Sequence, residues 1–177
     1  TVDVTDAHAV EALLQDIRDT LPPLRGLVHA AGTLADGLLA NQTREQFATV
    51  MEPKVQGAWH LHQATQGETL DFFILFSSAA SLLGSPGQGN YAAANAFLDA
   101  LAQVRRQQGL PAQALNWGPW HGPGLASQQD KTVQRLQGRG IQSWTPEQGV
   151  RLFEQVLALG DALPPQVGLM QVDWATL

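Results

Sequence analysis

The chain has 177 residues, 44% of them apolar and 15% charged, with a formal net charge of -6 and no cysteine. That composition suits one domain with a sizeable core, excludes disulfides, thiol nucleophiles and zinc–thiolate sites, and sits easily with a reducing cytoplasm. No apolar run approaches the ~18 residues of a membrane span, and no basic patch is present to collect phosphates, so neither a membrane nor nucleic acid is expected as a partner.

Residues 1–4 alternate like the end of a strand. Asp6 is placed to cap a helix over 7–20, in which Val10, Leu13, Leu14 and Ile17 share a face before Pro22 stops it. Leu24 to His29 forms a short apolar strand that runs into Ala30, Ala31 and Gly32. A second helical stretch starts near Thr43 and carries Phe47, Val50, Met51, Val55, Trp59 and Leu61 inward, with Pro53 set to split or bend it. Asp71 to Phe76 is apolar at successive positions, as in a parallel strand buried on both faces. A Gly/Ser/Pro-rich stretch over 77–90 leads to a long helix at about 91–108, ended by Gly109. Ala112 to Asn116 reads as a strand and 118–127 as a Gly/Pro-rich loop. Helices follow near 129–137 and 146–158, and Val167 to Val172 closes the series as a strand.

This alternation predicts an α/β fold with a doubly wound parallel sheet. Strands at 25–29, 71–76, 112–116 and 167–172 are fewer than a dinucleotide-binding sheet normally has, and no GxGxxG loop occurs. The remaining strands are expected before Thr1, which leaves strand 25–29 at an edge.

Chemistry-bearing residues gather where such sheets bind ligands, at the C-terminal ends of strands. Ser77 and Ser78 stand at the tip of strand 71–76, Tyr91 opens the next helix, and Asn95 lies one turn on, on the same face. Lys54 is on the preceding helical segment. Taken singly, each has an ordinary reading: a packing tyrosine, a solvated lysine, a serine turn, an exposed amide. Together they match hydride addition to a ketone, which leaves charge on oxygen. A tyrosine can hydrogen-bond that oxygen and hand it a proton, and an ammonium nearby lowers the phenol's pKa.

The stretches HAAG (29–32), LADG (34–37), PKVQGAWHLH (53–62), FSSAASLLGSPGQGNYAAANAFLDALAQVRRQQGLPA (76–112) and LNWGPW (115–120) make the specific case. The chain resembles the ketoreductase domains of modular polyketide synthases, within the short-chain dehydrogenase/reductase superfamily. Vertebrate-type fatty acid synthase ketoreductases are similar but less close. The resemblance implies a Rossmann-like sheet whose N-terminal glycine-loop half is absent from this chain. Residues 1–177 would be the C-terminal portion of one catalytic domain, with a lid over about 118–145. Tyr91 would be the proton donor, Ser78 the second hydrogen bond to the substrate oxygen, Lys54 the group that orients Tyr91 and lowers its pKa, and Asn95 a residue that maintains the site and its proton relay. Lysine early and asparagine late is the arrangement typical of these synthases. Asp3 and Val4 would lie by the adenine, Ala30, Ala31 and Gly32 along the nucleotide, and Tyr91, Gly118 and Pro119 beside the nicotinamide. Leu125 stands where relatives often carry methionine.

The implied cofactor is NADPH and the implied substrate a β-ketoacyl thioester on the phosphopantetheine of an acyl carrier protein. Neighbouring synthase domains and the N-terminal remainder of the ketoreductase are the other implied partners. No metal is expected. A catalytically silent or structural reductase-like module of the same kind of synthase is the alternative, although every member of the Lys54, Ser78, Tyr91 and Asn95 set is retained. Relatives that deliver the D-configured alcohol show an LDD motif, where this chain reads Leu34-Ala35-Asp36. Those of the opposite hand often carry tryptophan eight residues before the tyrosine, where Leu83 stands here. Asp36, Leu83, Pro86 and Asn90 therefore point to the D-alcohol, and Ala35 departs from the pattern.

Overall fold

In the computed structural model, which describes residues 1–122 and 130–176, helix α1 spans Ala7–Thr20. Asp6 caps it by accepting the His8 and Ala9 backbone N–H groups, a contact of the kind that contributes about 1 kcal/mol. Val10 and Leu14 face inward, and α1 packs against α3 (Gly57–Ala64). The opening residues do not form the expected strand. Asp3 accepts both the backbone N–H and the hydroxyl of Thr5, and the Asp6 N–H bonds back to the Asp3 carbonyl. This local bonding folds the segment into a turn.

Strand β1 (Gly26–His29) leads to a loop and then to α2 (Arg44–Met51), which a reciprocal Thr43–Gln46 capping box starts. Pro53 does not break the helical path. Residues Glu52–Gln56 form a π-helical turn between α2 and α3, which accommodates the missing proline N–H and turns Lys54 inward. Strand β2 (Phe72–Ser78) runs two residues further than its apolar stretch, because Ser78 serves as N-cap of the short helix α4 (Ala79–Leu83). Helix α5 (Gly89–Gln107) ends at Gly109, whose φ of +75° suits glycine.

The remaining elements are β3 (Gln113–Trp117), α6 (Asp130–Gln137), β4 (Ile141–Gln142), α7 (Pro146–Leu159), β5 (Gln166–Leu169) and β6 (Gln171–Val172). The expected strand 167–172 is thus two strands. The chain leaves the main sheet after Leu169, whose carbonyl accepts the Gly118 N–H and the Trp144 indole N–H, and β6 then pairs antiparallel with β4.

The main sheet is parallel throughout, in the order β1-β2-β3-β5, with β1 at its edge. Phe73, Leu75 and Ala114 pack on one face with Ala58, Leu98, Leu101 and Ala102 of the flanking helices. Ile74, Leu115 and Leu169 pack on the other with Val156 and Phe153 of α7. Register places Ser78 beside Trp117, and Trp117 beside Leu169. Strands β2, β3 and β5 therefore finish together at one end of the sheet.

Candidate active site

At that end β2 delivers Ser78 in extended conformation, its Oγ accepting the Ala80 N–H at 3.2 Å. Tyr91 projects from the first turn of α5. Lys54, only 3% exposed, donates from Nζ to the Phe76 carbonyl at 2.9 Å and lies 5.5 Å from the centre of the Tyr91 ring. Gly32 leaves room for this lysine, since a Cβ there would stand 2.9 Å from Lys54 Cε. Lys54, Ser78 and Tyr91 line one cavity of about 330 Å³, with Ala30, Leu83, Gly118 and Pro119 also on its wall. Trp120, Val133, Leu136 and Ile141 complete the wall from the segment anticipated as a lid, and Trp117 joins them from the end of β3. Val133, Leu136 and Ile141 were not singled out by sequence reasoning, and Trp117 and Trp120 were read only as part of the LNWGPW stretch. Their signal was an apolar side chain inside a polar, Gly/Pro-rich region.

Burial pushes the Lys54 ammonium down to about 8, and the negative charge of Asp99 partly opposes the fall. Burial likewise raises Tyr91, while hydrogen bonding from Ser78 and Asn95 pulls it down and the Asp36 charge raises it further. The net result leaves Tyr91 above its ordinary value, where the sequence led to the expectation of a lowering. The ammonium is engaged by the Phe76 carbonyl and stands over the ring. Tyr91 is therefore protonated at neutral pH, the form a proton donor requires.

The other anticipated residues surround this centre without lining it. Asn95 is fully buried behind Tyr91 and donates to the Tyr91 carbonyl at 2.8 Å, while its Oδ1 meets no partner among the described residues. Asn90, also fully buried, donates to the carbonyls of Ala35 and Gln46 and accepts the Tyr91 N–H. It stitches the loop that carries Asp36 to α2 and α5. Pro86 is exposed, and its carbonyl accepts from Arg135 of α6. Asp3 lies in the opening turn, and the Val4 carbonyl accepts from His60 Nδ1 at 3.1 Å. Asp3, Val4 and Ala31 do not reach the cavity wall. Leu125 falls outside the described residues.

Sequence reasoning missed the polar layer behind the cavity, where Asp99, Asn116, Ser77 and Ser81 bond to one another. A signal was present: positions 91, 95 and 99 recur every four residues, so Asp99 shares the inward face of α5.

A family model described as the KR domain matches residues 1–122. The chain belongs to the KR domain family, the ketoreductases of polyketide synthases. Polyketide synthase GfsE of Streptomyces halstedii is 48% identical over 158 residues, covering 88% of this chain but 4% of that protein. Among solved structures, a ketoreductase domain from the bacillaene assembly line superposes with a TM-score of 0.89 at 33% identity, over 99% of this chain and 43% of its own. A structure described as A-type ketoreductases from a modular polyketide synthase gives 0.88 at 38% identity, over 98% of this chain and 36% of its own. KR domains are nicotinamide-dependent reductases, and their relatives here are large multidomain synthases. No helix among the described residues is long and apolar enough to cross a membrane.

Proposed function

We propose that this KR chain is the C-terminal catalytic portion of a domain that reduces a carrier-protein-bound β-ketoacyl thioester to the 3-hydroxyacyl thioester, with NADPH as reductant. The observation that carries this reading is the meeting of Lys54, Ser78 and Tyr91 in one cavity. Ala30, Gly118 and Pro119 would hold the nicotinamide, because their small or fixed side chains keep that wall open to a flat ring. When bound, this cofactor supplies the hydride. The Ser78 and Tyr91 hydroxyls hydrogen-bond the substrate carbonyl oxygen, and Tyr91 gives it a proton as negative charge develops there. The Lys54 ammonium, beside the ring, steadies the resulting phenolate. Asn95, tied to the Tyr91 carbonyl, holds the first turns of α5 in place and leaves Oδ1 available to a proton relay.

The choice of NADPH and of a carrier-bound substrate follows the family resemblance. Tethering raises the local substrate concentration, so the site needs only a weak grip on the acyl chain. Initial rates of the complete ketoreductase with carrier-bound β-ketoacyl substrate against free simple ketones, using NADPH and then NADH, test both. Preference for the tethered substrate and for NADPH is expected, and equal turnover of free ketones would overturn it.

Asp36, Leu83, Pro86 and Asn90 support a D-configured product. Leu83 stands on the cavity wall and is 42% exposed, leaving open a route that an indole there would narrow. On the opposite side Asn90 orders the loop that carries Asp36, and the Gly37 N–H bonds the Gly87 carbonyl at 2.8 Å. This reading of the hand rests on these local residues and not on the overall likeness to an A-type structure. Chiral chromatography of the 3-hydroxyacyl product checks it, and a predominantly L-configured alcohol would sink the assignment.

A further inference from the structure

Behind the cavity a carboxylate is buried out of reach of any substrate on the cavity wall. Asp99 lies two turns beyond Tyr91 on α5 and is 6% exposed. Its Oδ1 accepts from Asn116 Nδ2 at 2.9 Å, and its Oδ2 accepts the Ser81 hydroxyl at 2.7 Å. The same Asn116 amide, fully buried on β3, also lies 3.1 Å from Ser77 Oγ and 3.3 Å from the Ser78 carbonyl. Ser77 in turn donates to the Asn95 carbonyl at 3.3 Å. Four elements, β2, α4, α5 and β3, thus meet at one carboxylate. Among the described residues no ion pair reaches it. Burying a carboxylate is unfavourable unless it is fully hydrogen-bonded, and a leucine would fill the same space for packing alone.

We propose that Asp99 is a positioning residue for the reduction: its clamped carboxylate fixes the tip of β2, and with it Ser78, against α5. This rests on the functional reading above. Lys54 is faced by Tyr91 and Asp99 from α5, by the Phe76 carbonyl from β2 and by His29 from β1. His29 is held neutral down to about pH 4 by its burial and by the Lys54 charge, so it adds no positive charge near neutrality. Asp36, on the loop after β1, acts on Tyr91. The Asp99 charge partly opposes the loss of the Lys54 proton that burial favours.

The test uses the complete ketoreductase with carbon-13 at lysine Cε, the Lys54 signal being identified by its loss in Lys54→Arg. Asp99→Asn keeps the shape and removes the charge. The titration midpoint of Lys54 should fall by about one pH unit, and the basic limb of the pH–kcat profile should move with it. At neutral pH kcat should drop roughly tenfold with KM little changed. Ser81→Ala leaves the charge and removes one clamp, so kcat should fall while the Lys54 midpoint stays. A folded Asp99→Asn protein with the parental kcat overturns the proposal. If that variant does not fold, Ser81→Ala decides, and unaltered kcat there overturns it. A parent protein that reduces no ketoacyl thioester would sink the functional reading, whereas an active reductase whose kcat is unmoved in folded Asp99→Asn sinks only the role of Asp99.

Discussion

Lys54 is held where an ordinary core would have an apolar side chain, and that has a measurable consequence. Its folded pKa of about 8 lies below the ordinary 10.5, so below pH 8 the protein buries an ammonium against the preference of its surroundings. Between about pH 8 and 10.5 the folded state has released this proton while the unfolded chain still binds it, and the penalty is relieved as pH rises. Lys54→Met should therefore stabilise the protein at neutral pH by about 1–3 kcal/mol and nearly abolish reduction. Thermal unfolding at neutral pH and near the upper end of that window checks it. The gap in Tm between variant and parent should shrink at the higher pH. A variant less stable than the parent at both values would show Lys54 to be a structural anchor through its bond to the Phe76 carbonyl.

At the level of elements, the roof of the cavity depends on one glycine. A Cβ at Gly149 of α7 would fall inside the indole of Trp120, and Trp120 packs edge-on against Trp117 at 4.8 Å, both on the cavity wall. Gly149→Ala should cost about 1–3 kcal/mol by overpacking and raise KM more than it lowers kcat, because the wall shifts while Tyr91 does not. Urea midpoints and steady-state kinetics measure the two effects, and unchanged values of both would refute this account of the roof. Neither glycine nor indole announced the contact in the sequence, since they are 29 positions apart. What was legible came from local pattern. The Asp6 cap, the apolar run before Ser77 and the stop at Gly109 each carry their own signal, and those elements stand where they were read. Pro53 was legible as a disturbance but not as a π-helical turn, because the outcome depends on which neighbours take up the freed carbonyl. Strand pairs as short as β4 and β6 have no periodicity to read; they exist through a long-range partner. The opening residues looked extended, yet Asp3 and Thr5 satisfy the backbone locally and win.

For the molecule as a whole, the exposed side of β1 matters most. It is an edge of a parallel sheet, with Val28 45% exposed, and among the described residues nothing pairs with it on that side. Parallel sheets are normally covered and flanked, and a bare apolar edge invites association. Residues 1–177 on their own should therefore be poorly soluble or associate, as read by light scattering and size exclusion. Cooperative unfolding of a stable monomer would count against this. The proposed reduction converges on one hydroxyl: in that reading Tyr91 gives the proton, with Ser78 beside it on the substrate oxygen and Lys54 and the Asn95 tether supporting it. Steady-state reduction of a carrier-bound β-ketoacyl thioester by the complete ketoreductase, parent against Tyr91→Phe, is the most direct measurement. A loss in kcat of about a hundredfold or more, with cofactor affinity nearly unchanged, is the expected result, and turnover close to that of the parent would contradict it.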